Sequence, residues 1–269
     1  MVYSDICHLP QLDLERTLEH SVLFMTSRFQ GKRILITGAT NGIGLAGARL
    51  LAREGAQLIL TGTNNERLAA LADEISSATV LFNDASLPDT GHTLAEQLDE
   101  LVIDGLWFNA GYAGIAPITD VSTPFFDTMM ATNARGPLLQ LAALSDQLSD
   151  GASVVVTSST STYEGAPLTA VYAATKAALI AAARTWATEL APRKIRVNTL
   201  VPGAIETGFR SFMDTETRQD FEAGVLGRVP LGRIGTAPEA AAVALFLLSE
   251  ESSYVTASQY SVDGGLGHR

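Results

Sequence analysis

The chain has 269 residues, 46% hydrophobic and only 17% charged, which suits a well-buried core and does not suit a disordered chain. A formal charge of −11 argues against general binding to nucleic acid or an anionic membrane, since both require a basic surface, though it leaves room for a local basic pocket. Cys7 is the only cysteine, so no intrachain disulfide is possible, and His8, His20, His92 and His268 lack metal-ligand spacing. A reducing, cytoplasmic setting and no metal are expected.

In chain order, "MVYSDICHLPQLDLERTLEHSVLFM" has no basic start and no sustained apolar run, so it does not read as a secretory signal. Met25 opens "MTSRFQGKRILITGAT", and the folded domain is placed at residues 29–269. Residues 1–28 are then an extension: an arm, an interaction segment or the product of a misplaced start codon. From residue 33 onward, short β-rich runs alternate with helical ones. "RILIT" (33–37), "QLILT" (57–61), "TVLF" (79–82), "LWFN" (106–109), "SVVVTS" (153–158), "IRVNTL" (195–200) and "QYSVDGG" (259–265, strand and turn) are separated by segments such as "IGLAGARLLARE" and "NNERLAALADEI". Nearly all-apolar strands belong in a sheet covered on both faces, and this alternation predicts a doubly wound parallel α/β sheet of Rossmann type in a single domain. The apolar run "AAAVALFLL" (240–248) is too short to span a bilayer.

Between the first strand and the first helix, "TGATNGIG" supplies Gly38, Gly42 and Gly44. Glycines at such a turn let backbone approach a pyrophosphate, which the positive end of the following helix attracts. Many strand-to-helix turns need glycine for positive φ alone; its place on the first strand of an alternating chain favours a nucleotide site. Further along, the alanine-rich "VYAATKAALIAAARTWA" (171–187) carries Tyr172 and Lys176 four positions apart, hence on one helix face. A phenol with a pKa of about 10 is a poor base near neutrality, and an adjacent ammonium would favour its phenolate.

"TGATNGIG" resembles the cofactor signature of the short-chain dehydrogenases/reductases. The resemblance continues in the family's order through "NDA" (83–85), "NAG" (109–111), Asn133 in "TNARG", "TSS" (157–159), Tyr172 and Lys176, "VNTLVPGAIET" (197–207) and "SVDGG" (261–265). It covers residues 29–266. It implies an NAD(P)-dependent oxidoreductase interconverting a ketone or aldehyde and an alcohol. Tyr172 would be the general acid/base, Lys176 would lower its pKa and bind ribose, Ser159 would polarise the substrate oxygen, and Asn133 would support a proton-relay water. Cofactor contacts are implied at Gly38, Asn41, Gly42, Ile43, Gly44, Thr63, Asn64, Asp84, Ala85, Asn109, Ala110, Gly111, Tyr172, Lys176, Pro202, Gly203, Ile205 and Thr207. Taken singly, a Y-x-x-x-K pair is usually a solvated helix face and "SSTST" an ordinary polar loop. Together, at family intervals, they read as a site.

The end of the second strand separates the cofactors. An acid there would bind ribose hydroxyls and repel a 2′-phosphate. Gly62 stands where the acid is usual, and Thr63, Asn64, Asn65 and Arg67 follow, so NADP(H) is favoured and NAD(H) stays open. Residues 208–235 match the family's variable segment over the substrate. Phe209, Phe212 and Met213, with Tyr163 and Leu168 from the loop before the catalytic helix, imply a carbonyl or alcohol substrate with an apolar body. A 3-oxoacyl-(acyl-carrier-protein) reductase is the alternative, disfavoured because "SDQLSDGAS" before the fifth strand holds Asp146 and Asp150 and no base to meet an acidic carrier. A non-catalytic nucleotide sensor or scaffold is the alternative of another class. A homotetramer or homodimer is expected through the helices around 120–149 and 171–191.

Overall fold

The apolar runs become strands whose side chains alternate between two buried faces. The computed structural model describes residues 27–208 and 214–268, so Phe209, Phe212, Met213 and almost all of the 1–28 extension lie outside the described residues. In chain order the elements are β1 (Arg33–Thr37), α1 (Gly42–Arg53), β2 (Gln57–Gly62), α2 (Asn65–Glu74), β3 (Thr79–Phe82), α3 (Thr90–Leu98), β4 (Ile103–Phe108), α4 (Thr123–Met130) and α5 (Gly136–Leu144). There follow β5 (Leu148–Thr157), α6 (Ser161–Glu164), α7 (Ala170–Glu189), β6 (Arg196–Pro202), β7 (Ile205–Glu206), α8 (Thr215–Leu226), β8 (Gly235–Thr236), α9 (Ala237–Leu248) and β9 (Gln259–Val262). Seven strands form one parallel sheet in the order β3-β2-β1-β4-β5-β6-β9, and β7 pairs with β8 beside it.

That order runs one way from β1 to β3 and the other from β4 to β9. The topological switch therefore falls between β1 and β4, and in such sheets the ligand crevice opens at the carboxyl ends of those strands. The glycine turn follows β1 and the "NAG" turn follows β4, so both sequence motifs arrive at this crevice.

Alternation along β1 divides the core. Ile34 and Ile36 join Leu58, Leu60, Trp107 and Val155 beneath Ala48 and Leu51 of α1 and Ala241, Ala244 and Leu245 of α9. Leu35 joins Ile59, Leu106, Phe108, Val154 and Val156 beneath Leu94 and Leu98 of α3, Leu141 and Leu144 of α5, and Leu179 and Ala183 of α7. Each large side chain so buried contributes about 1.5–3 kcal/mol. Helix starts are set by polar caps: Asn41 accepts from Gly42 N at α1, Asn64 from Arg67 N at α2, and Thr236 forms a capping box with Glu239 at α9. At the amino edge of the fold, Arg28 pairs with Glu54 and Glu251, and Phe29 is buried.

Two elements differ from the sequence expectation. β4 and β5 begin earlier than "LWFN" and "SVVVTS" suggest, because Leu148 pairs with Ile103 before the register breaks and resumes at Ser153 opposite Gly105. Asp104, Asp150 and Gly151 read as loop residues, yet the Asp104 carboxylate is used inside the sheet, accepting from Arg33 N and Ser149 Oγ. The expected long helix around 120–149 is α4 and α5 joined through a π-helical turn, Ala131–Arg135. Such turns are frequent at functional positions, and this one carries Asn133.

Candidate active site

A cleft of about 430 Å³ lies at the switch point. Its lining includes Gly38, Asn41, Gly42 and Ile43 from the glycine turn, Asp84 and Ala85 after β3, Asn109, Ala110 and Gly111 after β4, and Ser159, Tyr172 and Lys176 on the far side. Pro202, Gly203, Ile205 and Thr207 complete it. These sixteen positions, from segments distant in sequence, are thus drawn to one crevice by the strand order.

The glycine turn is tightly braced. Gly38 has φ +67, and a Cβ there would lie 2.7 Å from the Ala110 Cα. Gly42, at φ +55, faces Thr207, whose Cγ2 would be 3.1 Å from an added Cβ. Gly44, implied as a cofactor contact, is buried behind the turn rather than on the cleft wall; an added Cβ would meet Gly38 O at 2.4 Å. Asn109 and Ala110 donate their backbone N–H groups to Thr37 Oγ1, and Asn109 Nδ2 donates to Gly38 O at 3.0 Å. The "NAG" turn therefore supports the glycine turn as well as lining the cleft. A cradle whose glycines have no space for a side chain, opening on the amino end of the twelve-residue α1, fits a dinucleotide pyrophosphate.

At the β2 end, Thr63 and Arg67 line the cleft, whereas Asn64 does not: its side chain caps α2. Gly62 is enclosed, and an added Cβ would meet Thr40 Cγ2 at 2.6 Å. An acid at that position would require Thr40 to move. Asp84 is turned into its own loop, its Oδ1 accepting from Ser86 N and Ser86 Oγ.

At the catalytic end, the Tyr172 phenol and the Ser159 side chain are hydrogen-bonded. Lys176 Nζ sits 5.9 Å from the Tyr172 ring centroid and donates to Thr157 O at 3.0 Å. Lys176 is buried, and Gly111 leaves it room, since a Cβ there would be 3.3 Å from Nζ. Burial pushes the lysine down to about 8 and the phenol up to about 12, the Ser159 bond opposing the latter. The net position of the phenol is thus above its ordinary value. Loss of water around the hydroxyl is the largest cause, and the ammonium donates a hydrogen bond to the Thr157 carbonyl.

Asn133 is fully buried in the π turn; its Oδ1 accepts from Tyr112 N at 2.7 Å, and its Nδ2 donates to Tyr112 O and Thr175 Oγ1. It ties the loop after "NAG" to α7, the helix of Tyr172 and Lys176. Tyr163 and Leu168 do not line the cleft. Both are exposed; Tyr163 bonds Gln259, and Leu168, at φ 69, accepts from Ala116 N through its carbonyl. Residues that sequence reasoning passed over include Thr40, Asn83, Tyr112, Ala113 and Thr132. Tyr112 and Ala113 directly follow "NAG" and were legible from that position; Thr132 depends on the π turn and was not. The acidic segment around Asp146 and Asp150 is also misplaced as a guide to the mouth. It lies at the amino end of β5, where Asp150 borders a separate cavity with Lys32 and Lys194 and pairs with Arg193.

Comparison with known proteins agrees with this geometry. A family model described as enoyl-(acyl carrier protein) reductase matches residues 38–267. The chain is 36% identical over 247 residues to the 3-oxoacyl-(acyl-carrier-protein) reductase FabG of Thermotoga maritima, covering 89% of this chain and 99% of that one. A crystal structure of a short-chain dehydrogenase/reductase (glucose/ribitol dehydrogenase) from Brucella melitensis superposes with TM-score 0.84 at 32% identity, covering 90% of this chain and 99% of the other. A short-chain dehydrogenase from Burkholderia cenocepacia in complex with NADP gives 0.82 at 28% identity, over 89% and 99% of the two chains. The class follows first: an NAD(P)-dependent oxidoreductase on a Rossmann-like sheet. Within it, the chain belongs to the short-chain dehydrogenases/reductases, in their compact single-domain form.

Proposed function

We propose that the protein reduces a ketone or aldehyde to an alcohol, reversibly, with Tyr172 as the proton donor. The observation that carries this reading is the hydrogen bond between the Ser159 side chain and the Tyr172 phenol at the floor of the dinucleotide cleft. A nicotinamide cofactor supplies or accepts the hydride. The chain's own residues handle the oxygen: Ser159 donates a hydrogen bond to the carbonyl, and Tyr172 protonates the oxygen as negative charge develops there. A phenol raised to about 12 is fully protonated at neutral pH, which suits an acid in the reductive direction. Lys176 serves as an ammonium beside the cofactor ribose and as the source from which the phenol is reprotonated. Asn133 holds α7 and the 112–113 loop in register around that lysine.

NADP(H) is the favoured cofactor. Gly62 offers no carboxylate to repel a 2′-phosphate, and Thr63 and Arg67 border the cleft there. NAD(H) remains the second reading. The substrate is a small-molecule carbonyl or alcohol. Reduction of a carrier-bound 3-oxoacyl group is the second specific activity, supported by the FabG relative. With Asp146 and Asp150 far from the mouth, they no longer count against it. A homotetramer or homodimer and a cytoplasmic location complete the proposal; no described helix is long and apolar enough to cross a membrane. The test is a steady-state assay of a carbonyl and alcohol panel with NADPH and NADH in parallel. Turnover with NADPH at least about tenfold more efficient is expected, and a wide NADH preference would overturn the cofactor choice.

A further inference from the structure

Glu164 closes the short helix α6, five residues after Ser159, and its carboxylate is mostly shielded from solvent, with a side-chain exposure of 12%. One oxygen accepts from Thr160 Oγ1 at 2.5 Å; the other pairs with Arg228 at 3.1 Å. Thr160 is the immediate neighbour of Ser159 and is itself buried, with its N–H donated to Pro202 O at 3.0 Å. Arg228 belongs to the segment after α8. That segment and the end of α8 are fixed from beneath: Val229 and Val225 pack on Leu266, and Leu231 N donates to Gly264 O. A line of contacts thus runs from the turn after β9 through Arg228, Glu164 and Thr160 to the residue that bonds the Tyr172 phenol.

We propose that Glu164 is a positioning residue, holding the Thr160 hydroxyl and the Arg228 guanidinium together and so fixing the Ser159 hydroxyl against Tyr172. Without it, Thr160 keeps its backbone bond to Pro202 but loses its side-chain tether, and Ser159 gains freedom to rotate away from the reacting oxygen. The carboxylate touches neither cofactor nor substrate in this role. The inference rests on the proposed function of Ser159, and the experiment separates the two.

The test is a double-mutant cycle on the reduction of 2,3-butanedione by NADPH, with NADPH affinity measured by fluorescence as a second readout. Glu164→Ala should lower kcat/KM by about 10-fold and leave the NADPH Kd within about 2-fold, because the cofactor cleft does not include it. Glu164→Gln, which keeps an oxygen for Thr160, should recover most of the loss. In a Ser159→Ala background, Glu164→Ala should cost less than about 2-fold. An equal loss in both backgrounds, or no loss in either, overturns the proposal. Should Glu164→Ala fail to fold, Thr160→Val removes the same tether and must show the same dependence on Ser159. If Ser159→Ala itself retains full turnover, the role of Ser159 is what fails.

Discussion

Lys176 is a buried cation with a carbonyl partner, and its position gives opposite pH signs to folding and to binding. Its folded pKa of about 8 lies below the ordinary value of 10.5. Below pH 8 the folded protein must hold a desolvated ammonium, which costs stability. As pH rises from about 8 toward 10.5, the folded state releases that proton while the unfolded chain keeps it, and stability relative to Lys176→Met rises by an amount on the order of 3 kcal/mol. Denaturant titrations of the two proteins at pH 7 and pH 10 check this. Cofactor affinity should run the other way if the ammonium binds ribose as proposed: the NADPH Kd of the wild type should weaken above pH 8, by up to about tenfold per pH unit, and that of Lys176→Met should not. That Ser159, Tyr172 and Lys176 would meet at one cleft was legible through the family resemblance, in which they stand at matching intervals. The direction of the phenol shift was not, since it depends on how much water the fold removes from the hydroxyl.

At the scale of elements, α1 and β4 are matched in size at one point. Trp107 of β4 is fully buried, and an added Cβ on Gly47 of α1 would meet its Cζ3 at 2.2 Å. In an exposed helix, Gly→Ala stabilises by about 1 kcal/mol. Here the overlap with an immovable indole outweighs that gain, so Gly47→Ala should destabilise by about 1–3 kcal/mol, and adding Trp107→Phe should restore part of it. Thermal unfolding of the three proteins decides the sign. α9 offers a contrast: Thr236, which does not line the cleft, caps this helix, and Thr236→Ala removes one side of the capping box and should cost about 1 kcal/mol. All seven strands of the main sheet were visible as apolar runs in the right order. The start of β5 was hidden because Asp150 and Gly151 look like a loop, and the π turn around Asn133 has no local signature separating it from ordinary helix.

For the molecule as a whole, strand order converts scattered motifs into one chemical device. The switch between β1 and β4 brings two turns to a single crevice, and β5 and α7 deliver Ser159, Tyr172 and Lys176 to its other wall. That convergence follows from the doubly wound topology and was inferable once the alternation of strands and helices was recognised. Surface electrostatics was not: Asp146 just before β5 and Asp150 near its start lie at the amino end of a parallel strand, the end of the sheet opposite the mouth. The most direct test of the central claim compares wild type with Tyr172→Phe in NADPH-dependent reduction of 2,3-butanedione, with NADPH binding followed in parallel. Loss of the general acid should lower kcat by about 100-fold or more while the NADPH Kd changes less than about 3-fold. Undiminished turnover by Tyr172→Phe would contradict the account.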